Sequence, residues 1–190
     1  MSMFRWLARV GLFGLVTVAA VGAPAVRAQL PAYRVGRAPT AQEIKAWDLT
    51  IPFDGEGLPA GSGTAALGKP IYLDRCAACH GDEGEDRKYS ALVGGQGTLA
   101  TNKPLLTIGS FWQYAPTLWS YIRRTQPVDE PGSLSADEVY AVTAYLLYLN
   151  RVIGEQEVLD ARTLPQIKMP NRDRFVPDPR PDVGKGGSGG

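Results

Sequence analysis

Both cysteines and the single histidine of this 190-residue chain fall in one pentapeptide, Cys76-Ala77-Ala78-Cys79-His80. That placement narrows the options before any other feature does. One histidine excludes a two-histidine zinc site and bis-histidine ligation of a metal within one chain. Two cysteines exclude a four-cysteine iron–sulfur site and a disulfide-dense mini-domain. The charge balance, 20 basic against 19 acidic residues, argues against nucleic acid as a partner, because phosphate neutralisation needs a basic excess. The length fits one domain of ordinary size with extensions.

Residues 1–28 read as a targeting segment. Arg5 and Arg9 form a basic start, Val10 to Val21 is an apolar or small-residue run, and Val26-Arg27-Ala28 offers small residues at a cleavage site. The run is about 12 residues, against the ~20 needed to cross a bilayer, so cleavage and export to the periplasm are expected. Membrane attachment is expected only if this segment is retained. Its removal takes three arginines and leaves 17 basic against 19 acidic residues, a slightly acidic mature chain.

The remainder divides by composition. Residues 29–63 form a Pro- and Gly-rich extension, with a short helix expected from Ala41 to Trp47 behind Thr40-Ala41-Gln42-Glu43. The core is expected at 64–150, an irregular C-terminal extension at 151–183, and a flexible tail or linker at 184–190. Three core helices are expected. The first covers Leu67 to Ala77, with Pro70 in its first turn because proline lacks the N–H a helix interior needs. The second covers Pro116 to Arg124. The third opens on the capping box Ser135-Ala136-Asp137-Glu138 and sets Val139, Val142, Leu146 and Leu149 on one face. Nothing alternates at period 2, so the fold class is all-α without strands.

Cys-x-x-Cys-His at the end of a helix is the haem attachment motif of c-type cytochromes. Two thiols one helical turn apart can both reach the vinyl groups on one porphyrin edge as thioethers. The adjacent imidazole can then ligate the iron. A thioredoxin-like Cys76–Cys79 disulfide would want a preceding strand and a parallel sheet, and a structural bridge three residues apart would constrain little chain. The motif therefore points to one covalent haem c held by Cys76 and Cys79, with His80 as iron ligand.

A second axial ligand is usually methionine or histidine. No second histidine exists, and Met1 and Met3 lie in the targeting segment. Met169, in Leu164-Pro165-Gln166-Ile167-Lys168-Met169-Pro170, is then the expected distal ligand. Lys168, a tyrosine or an open position are the alternatives. Ordinary core packing is the competing role for Met169 itself.

Gly68, Tyr72, the CAACHG segment and an aromatic-bearing final helix resemble class I cytochromes c. In that fold the first and last helices cross closely, so Gly68 and Tyr72 are expected to meet Tyr145 or Tyr148. The segments AWDLTIPFDGEGLPAGSGT, ALVGGQGTL, IGSFWQYAPTLWSYIRRTQP, LSADEVYAVTAYLLYLN and TLPQIKMPNRDRF further resemble the cytochrome subunit of periplasmic sulfane or sulfite dehydrogenases. That resemblance implies electrons received from a molybdenum-cofactor dehydrogenase subunit and passed to a downstream cytochrome. Class I cytochromes usually carry the methionine between the second and last helices, where this chain has Gln126 in Thr125-Gln126-Pro127-Val128.

Among the aromatics, Trp112 and Tyr114 are expected beside the haem, with Trp119 and Tyr121 nearby. Gly94-Gly95-Gln96-Gly97 lacks the lysine and the preceding strand of a phosphate loop and is expected to pass the haem edge. Asp82, Glu83, Glu85 and Asp86 read as a solvated loop or a steering surface for a basic partner. The expected role is single-electron transfer, as a subunit of an oxidoreductase more than as a catalyst by itself. A haem enzyme acting on a sulfur compound or peroxide, or a free-standing carrier, are the rival readings.

Overall fold

The computed structural model describes residues 36–85 and 89–176. The expected targeting segment at 1–28, Asp86 and the expected tail at 184–190 lie outside these residues. Residues 36–40 belong to a separate N-terminal unit, and the architecture below concerns residues 41 onward.

Five helices are present among the described residues: α1 (Ala41–Trp47), α2 (Ala65–Arg75), α3 (Ala77–His80), α4 (Ala115–Thr125) and α5 (Ala136–Leu149). Each boundary has a local cause. Ser135 caps α5 by accepting from the Glu138 N–H, and the Glu138 carboxylate accepts from the Ser135 N–H at 2.7 Å. This is the reciprocal box expected from the sequence. Its apolar face is buried as anticipated at Val139, Val142 and Leu146. Helix α4 starts one residue before Pro116, whose missing N–H costs nothing in a first turn.

Helix α2 corrects the expectation about Pro70. The helix starts at Ala65, and Pro70 lies inside it. The start is set by Thr64, whose hydroxyl accepts from the Leu67 N–H at 3.3 Å, and by the Ala66 N–H, which donates to the Glu155 carbonyl. These partners satisfy free N–H groups of the first turn, so the helix begins upstream of the proline. The proline's cost, about 3 kcal/mol in an isolated helix, is offset by the packing of α2 on α5.

That packing is the main joint of the fold. Gly68 sits against the main chain of Ala141, where a β-carbon would collide with the Ala141 carbonyl and crowd the Tyr145 side chain. Beside it, the Tyr72 and Tyr145 rings lie 5.3 Å apart. The glycine admits the helix and the tyrosines seal the crossing, as the class I resemblance implied.

The expected absence of strands fails in one place. Strands β1 (Ser62–Gly63) and β2 (Leu159–Asp160) pair antiparallel, with Ser62 opposite Asp160 and Gly63 opposite Leu159. Two residues are too short to display a period, and their pairing spans nearly a hundred positions, so no sequence window could reveal it.

The C-terminal extension is part of the core. Leu159, Leu164 and Met169 are fully buried. A 3-10 turn at Leu164–Gln166 packs on α4. The N-terminal stretch is tied down similarly, by the Ile51 N–H donating to Ser120 Oγ at 3.0 Å and the Tyr140 hydroxyl donating to the Pro59 carbonyl at 3.0 Å. Among the described residues no helix is long and apolar enough to cross a membrane.

Candidate haem site

The pentapeptide lies where α2 ends and α3 begins. Cys76 closes α2, its N–H donating to the Tyr72 carbonyl at 2.9 Å. Its own carbonyl accepts from the N–H groups of Cys79 and His80, each at 3.1 Å. The two thiols are thus held one tight turn apart. Gly81 then ends α3 at φ +82°, a conformation open to glycine at little cost, and its N–H returns to the Ala77 carbonyl at 2.9 Å. The Tyr72 hydroxyl donates to the Gly81 carbonyl at 2.9 Å, pinning the end of this turn to α2.

Cys76, Cys79 and His80 share the wall of one cavity of about 600 Å³. That volume lies within the roughly 300–1,000 Å³ of cofactor and ligand pockets. Helix α4 presents Leu118, Tyr121 and Ile122 to it, and α5 presents Val142 and Leu146. The loop segments Tyr89–Leu92 and Leu106–Ile108 close another side, with Phe111 and Trp112 beyond them. Gln126 to Asp129, just past α4, complete the lining.

The residues present fit a covalent haem. Both cysteines are free thiols, so they are available for thioether bonds. Burial pushes the Cys76 thiol up to about 11, more than the Arg75 guanidinium lowers it. His80 has a buried ring Nδ1 with no hydrogen-bond partner, an orphaned polar atom of the kind an additional group in the cavity would explain. Apolar and aromatic walls suit a porphyrin face and exclude water from it. One guanidinium, that of Arg75, reaches the lining and is paired with Glu130 at 2.6 Å.

Of the residues expected at the haem, the structure brings Cys76, Cys79, His80 and Trp112 to this cavity. The Trp112 indole N–H donates to Thr117 Oγ1 at 3.0 Å, which fixes its ring against the first turn of α4. Tyr114 is placed apart from them. It is absent from the cavity wall and packs instead on Phe53, at 5.3 Å between centroids, with the Arg172 guanidinium 5.1 Å above its ring. Tyr114 is the extended N-cap residue of α4, and its ring is taken up by Phe53 and Arg172, whereas the Trp112 ring is held by Thr117.

Met169, the expected distal ligand, is placed differently from the residues above. It is 1% exposed and lies in the core, outside the cavity lining. Its carbonyl accepts from the Arg172 N–H at 3.1 Å, and the Arg172 carbonyl accepts from Gln113 Nε2 at 3.2 Å. The segment is therefore anchored beside the start of α4, and the thioether fills a core space. Lys168, the alternative ligand, is exposed and paired with Asp173 at 2.7 Å.

The glycine loop does not line the cavity either. Gly94 and Gln96 bind Asn150 at the end of α5, the Gly94 N–H to its Oδ1 at 3.2 Å and the Gln96 side chain to its carbonyl at 3.3 Å. Asp82, Glu83 and Glu85 lie in turns after the motif, where Glu85 accepts from the Glu83 N–H at 2.8 Å. Sequence reasoning missed Leu118 and Ile122 as site residues, although their i, i+4 spacing beside Tyr121 signals one helical face.

This arrangement defines a class I c-type cytochrome, and the chain belongs to the cytochrome c family. The family model for cytochrome c matches residues 65–150. The sulfane dehydrogenase SoxCD from Paracoccus pantotrophus has a chain 40% identical to this one, with a TM-score of 0.72 over 78% of this chain and 73% of that chain. A thiosulfate dehydrogenase of Stutzerimonas stutzeri (strain A1501) is 32% identical over 90 residues, or 46% of this chain. The match spans only 28% of that dehydrogenase's length. Covalent haem attachment and electron transfer follow from the family.

Proposed function

We propose that this protein is a periplasmic monohaem cytochrome that takes single electrons from a molybdenum-containing sulfane or sulfite dehydrogenase subunit and hands them to another cytochrome. The observation carrying the reading is the meeting of both thiols and the sole histidine on one apolar cavity, in a chain that aligns across most of its described length with a SoxCD chain. Cys76 and Cys79 tether the haem and His80 ligates its iron. When bound, the haem supplies one-electron Fe(III)/Fe(II) chemistry. The chain's own work is to hold the group, exclude water with Trp112, Leu118, Ile122, Val142 and Leu146, and present an edge to partners. No acid–base residue is required for this task.

The test is production of the full chain with its export segment, together with a candidate molybdenum subunit encoded beside it. The reading expects one haem per chain retained after denaturation, and rapid reduction of that haem when the dehydrogenase turns over its sulfur substrate. A chain that carries haem but is reduced by a sulfur compound alone at the same rate would favour a haem enzyme instead. Reduction by neither route would favour a free-standing carrier.

A further inference from the structure

The cavity offers the iron no second sulfur ligand. Apart from the two tethering cysteines, none of its lining residues contains sulfur. Met169 is buried in the core outside that lining, its carbonyl accepting from the Arg172 N–H. The polar side chains that do line the cavity are few, and most are engaged. The Tyr72 hydroxyl is committed to the Gly81 carbonyl, the Thr107 hydroxyl to the Gly94 carbonyl at 2.5 Å, the Trp112 N–H to Thr117, and Arg75 to Glu130.

Gln126 differs from these. It caps α4, its N–H donating to the Ile122 carbonyl at 3.0 Å, and its side-chain amide makes one long contact of 3.5 Å, from Nε2 to Thr125 Oγ1. The segment behind it is braced from two helices. Arg123 of α4 donates to the carbonyls of Gly132 and Leu134, and Arg75 of α2 binds Glu130 and Ser133. A half-buried amide on a braced segment, lining the same cavity as His80, is positioned by the fold with little other employment.

We infer that Gln126, and not a methionine thioether, is the side chain this protein presents to the iron opposite His80, and that the sixth position there is exchangeable and takes small exogenous ligands. The inference rests on haem attachment at Cys76 and Cys79. Its chemical ground is ligand softness. A carboxamide oxygen is a hard, neutral donor, whereas ferrous iron favours sulfur or nitrogen, so the amide holds the position weakly. Tyr89 and Tyr121 also line the cavity, but Tyr121 packs edge-on to Trp112 at 5.7 Å and Tyr89 lies beside the His80 ring itself at 6.0 Å. The amide can instead donate an Nε2 hydrogen bond to a small molecule that replaces it, such as cyanide.

The experiment uses the haem-loaded full chain and reads spectra. The ferric protein is expected to lack the methionine–iron charge-transfer band, and Met169→Ala is expected to leave the spectrum unchanged. Imidazole or cyanide titrated into the wild type is expected to convert the spectrum to a new low-spin form. Gln126→Met is expected to gain the thioether band and to bind imidazole about tenfold or more weakly, while Gln126→Ala keeps ligand binding. A wild-type thioether band lost in Met169→Ala overturns the inference. So does a wild-type haem that refuses both added ligands. Failure to incorporate haem at all would instead overturn the function proposed above, so the two failures are distinct.

Discussion

Gly68 of α2 rests on the main-chain carbonyl of Ala141 of α5 with no room for a single added carbon. The two helices that meet there carry opposite duties. One leads into the haem-binding pentapeptide, and the other supplies Val142 and Leu146 to the cavity. Gly68→Ala must push backbone apart, because the obstructing atoms are not the far end of a flexible side chain. The expected result is a loss of about 1–3 kcal/mol, the usual range for overpacking, read as a lower midpoint in denaturant unfolding. A variant as stable as the wild type would contradict the close crossing.

Tyr72→Phe tests the link between helix and motif. It removes the hydroxyl that pins the Gly81 carbonyl while leaving the ring on Tyr145. A buried carbonyl left without its donor costs about 1–3 kcal/mol. Unfolding titrations measure the loss. Unchanged stability would show the bond to be dispensable.

The capping box gives a pH-dependent expectation. Backbone and side-chain hydrogen bonds from Ser135 hold the Glu138 carboxyl below its ordinary range. A lowered folded value means that this stabilisation is present above the unfolded value, near 4.5, and is lost as pH falls. Ser135→Ala should therefore destabilise by about 1 kcal/mol at neutral pH, with the difference from wild type shrinking in acid. A gap that stays constant to low pH would argue that Glu138 takes no part.

At the alkaline end, burial raises Tyr140 from 10.0 to about 12. Tyr145 is raised too, again chiefly by burial. A raised folded value means that the neutral phenol stabilises the fold fully below pH 10 and that the contribution disappears as pH rises towards 12. Tyr140→Phe loses the bond to the Pro59 carbonyl but removes one ionising group, so its stability should fall less steeply over that window. Parallel slopes for the two proteins would refute this.

Asn150 is the knot between α5 and the glycine loop. Its Nδ2 donates to the carbonyls of Leu92 and Leu146, at 3.1 and 2.9 Å, and its Oδ1 accepts from the Gly94 N–H. Asn150→Ala leaves several part-buried groups unpaired at once. The expected loss is upward of about 2 kcal/mol. Because Leu92 lines the cavity, hydrogen exchange in the 91–97 segment should also accelerate.

What the sequence determined by itself lay within short windows. The order and spacing of Cys76, Cys79 and His80, the Ser135–Glu138 box and the face of α5 are contiguous or one helical turn apart. Their physics is complete within a few residues, so each was legible without a fold. The tertiary structure decided the rest. It put Met169 in the core and Gln126 on the cavity, sent Tyr114 to Phe53 while leaving Trp112 at the site, and paired Ser62 with Asp160. A count of methionines can say which thioether is available but not where the chain carries it. That depends on packing between segments far apart in sequence, where burial of Leu159, Leu164 and Met169 outweighs any local preference of a proline-flanked loop.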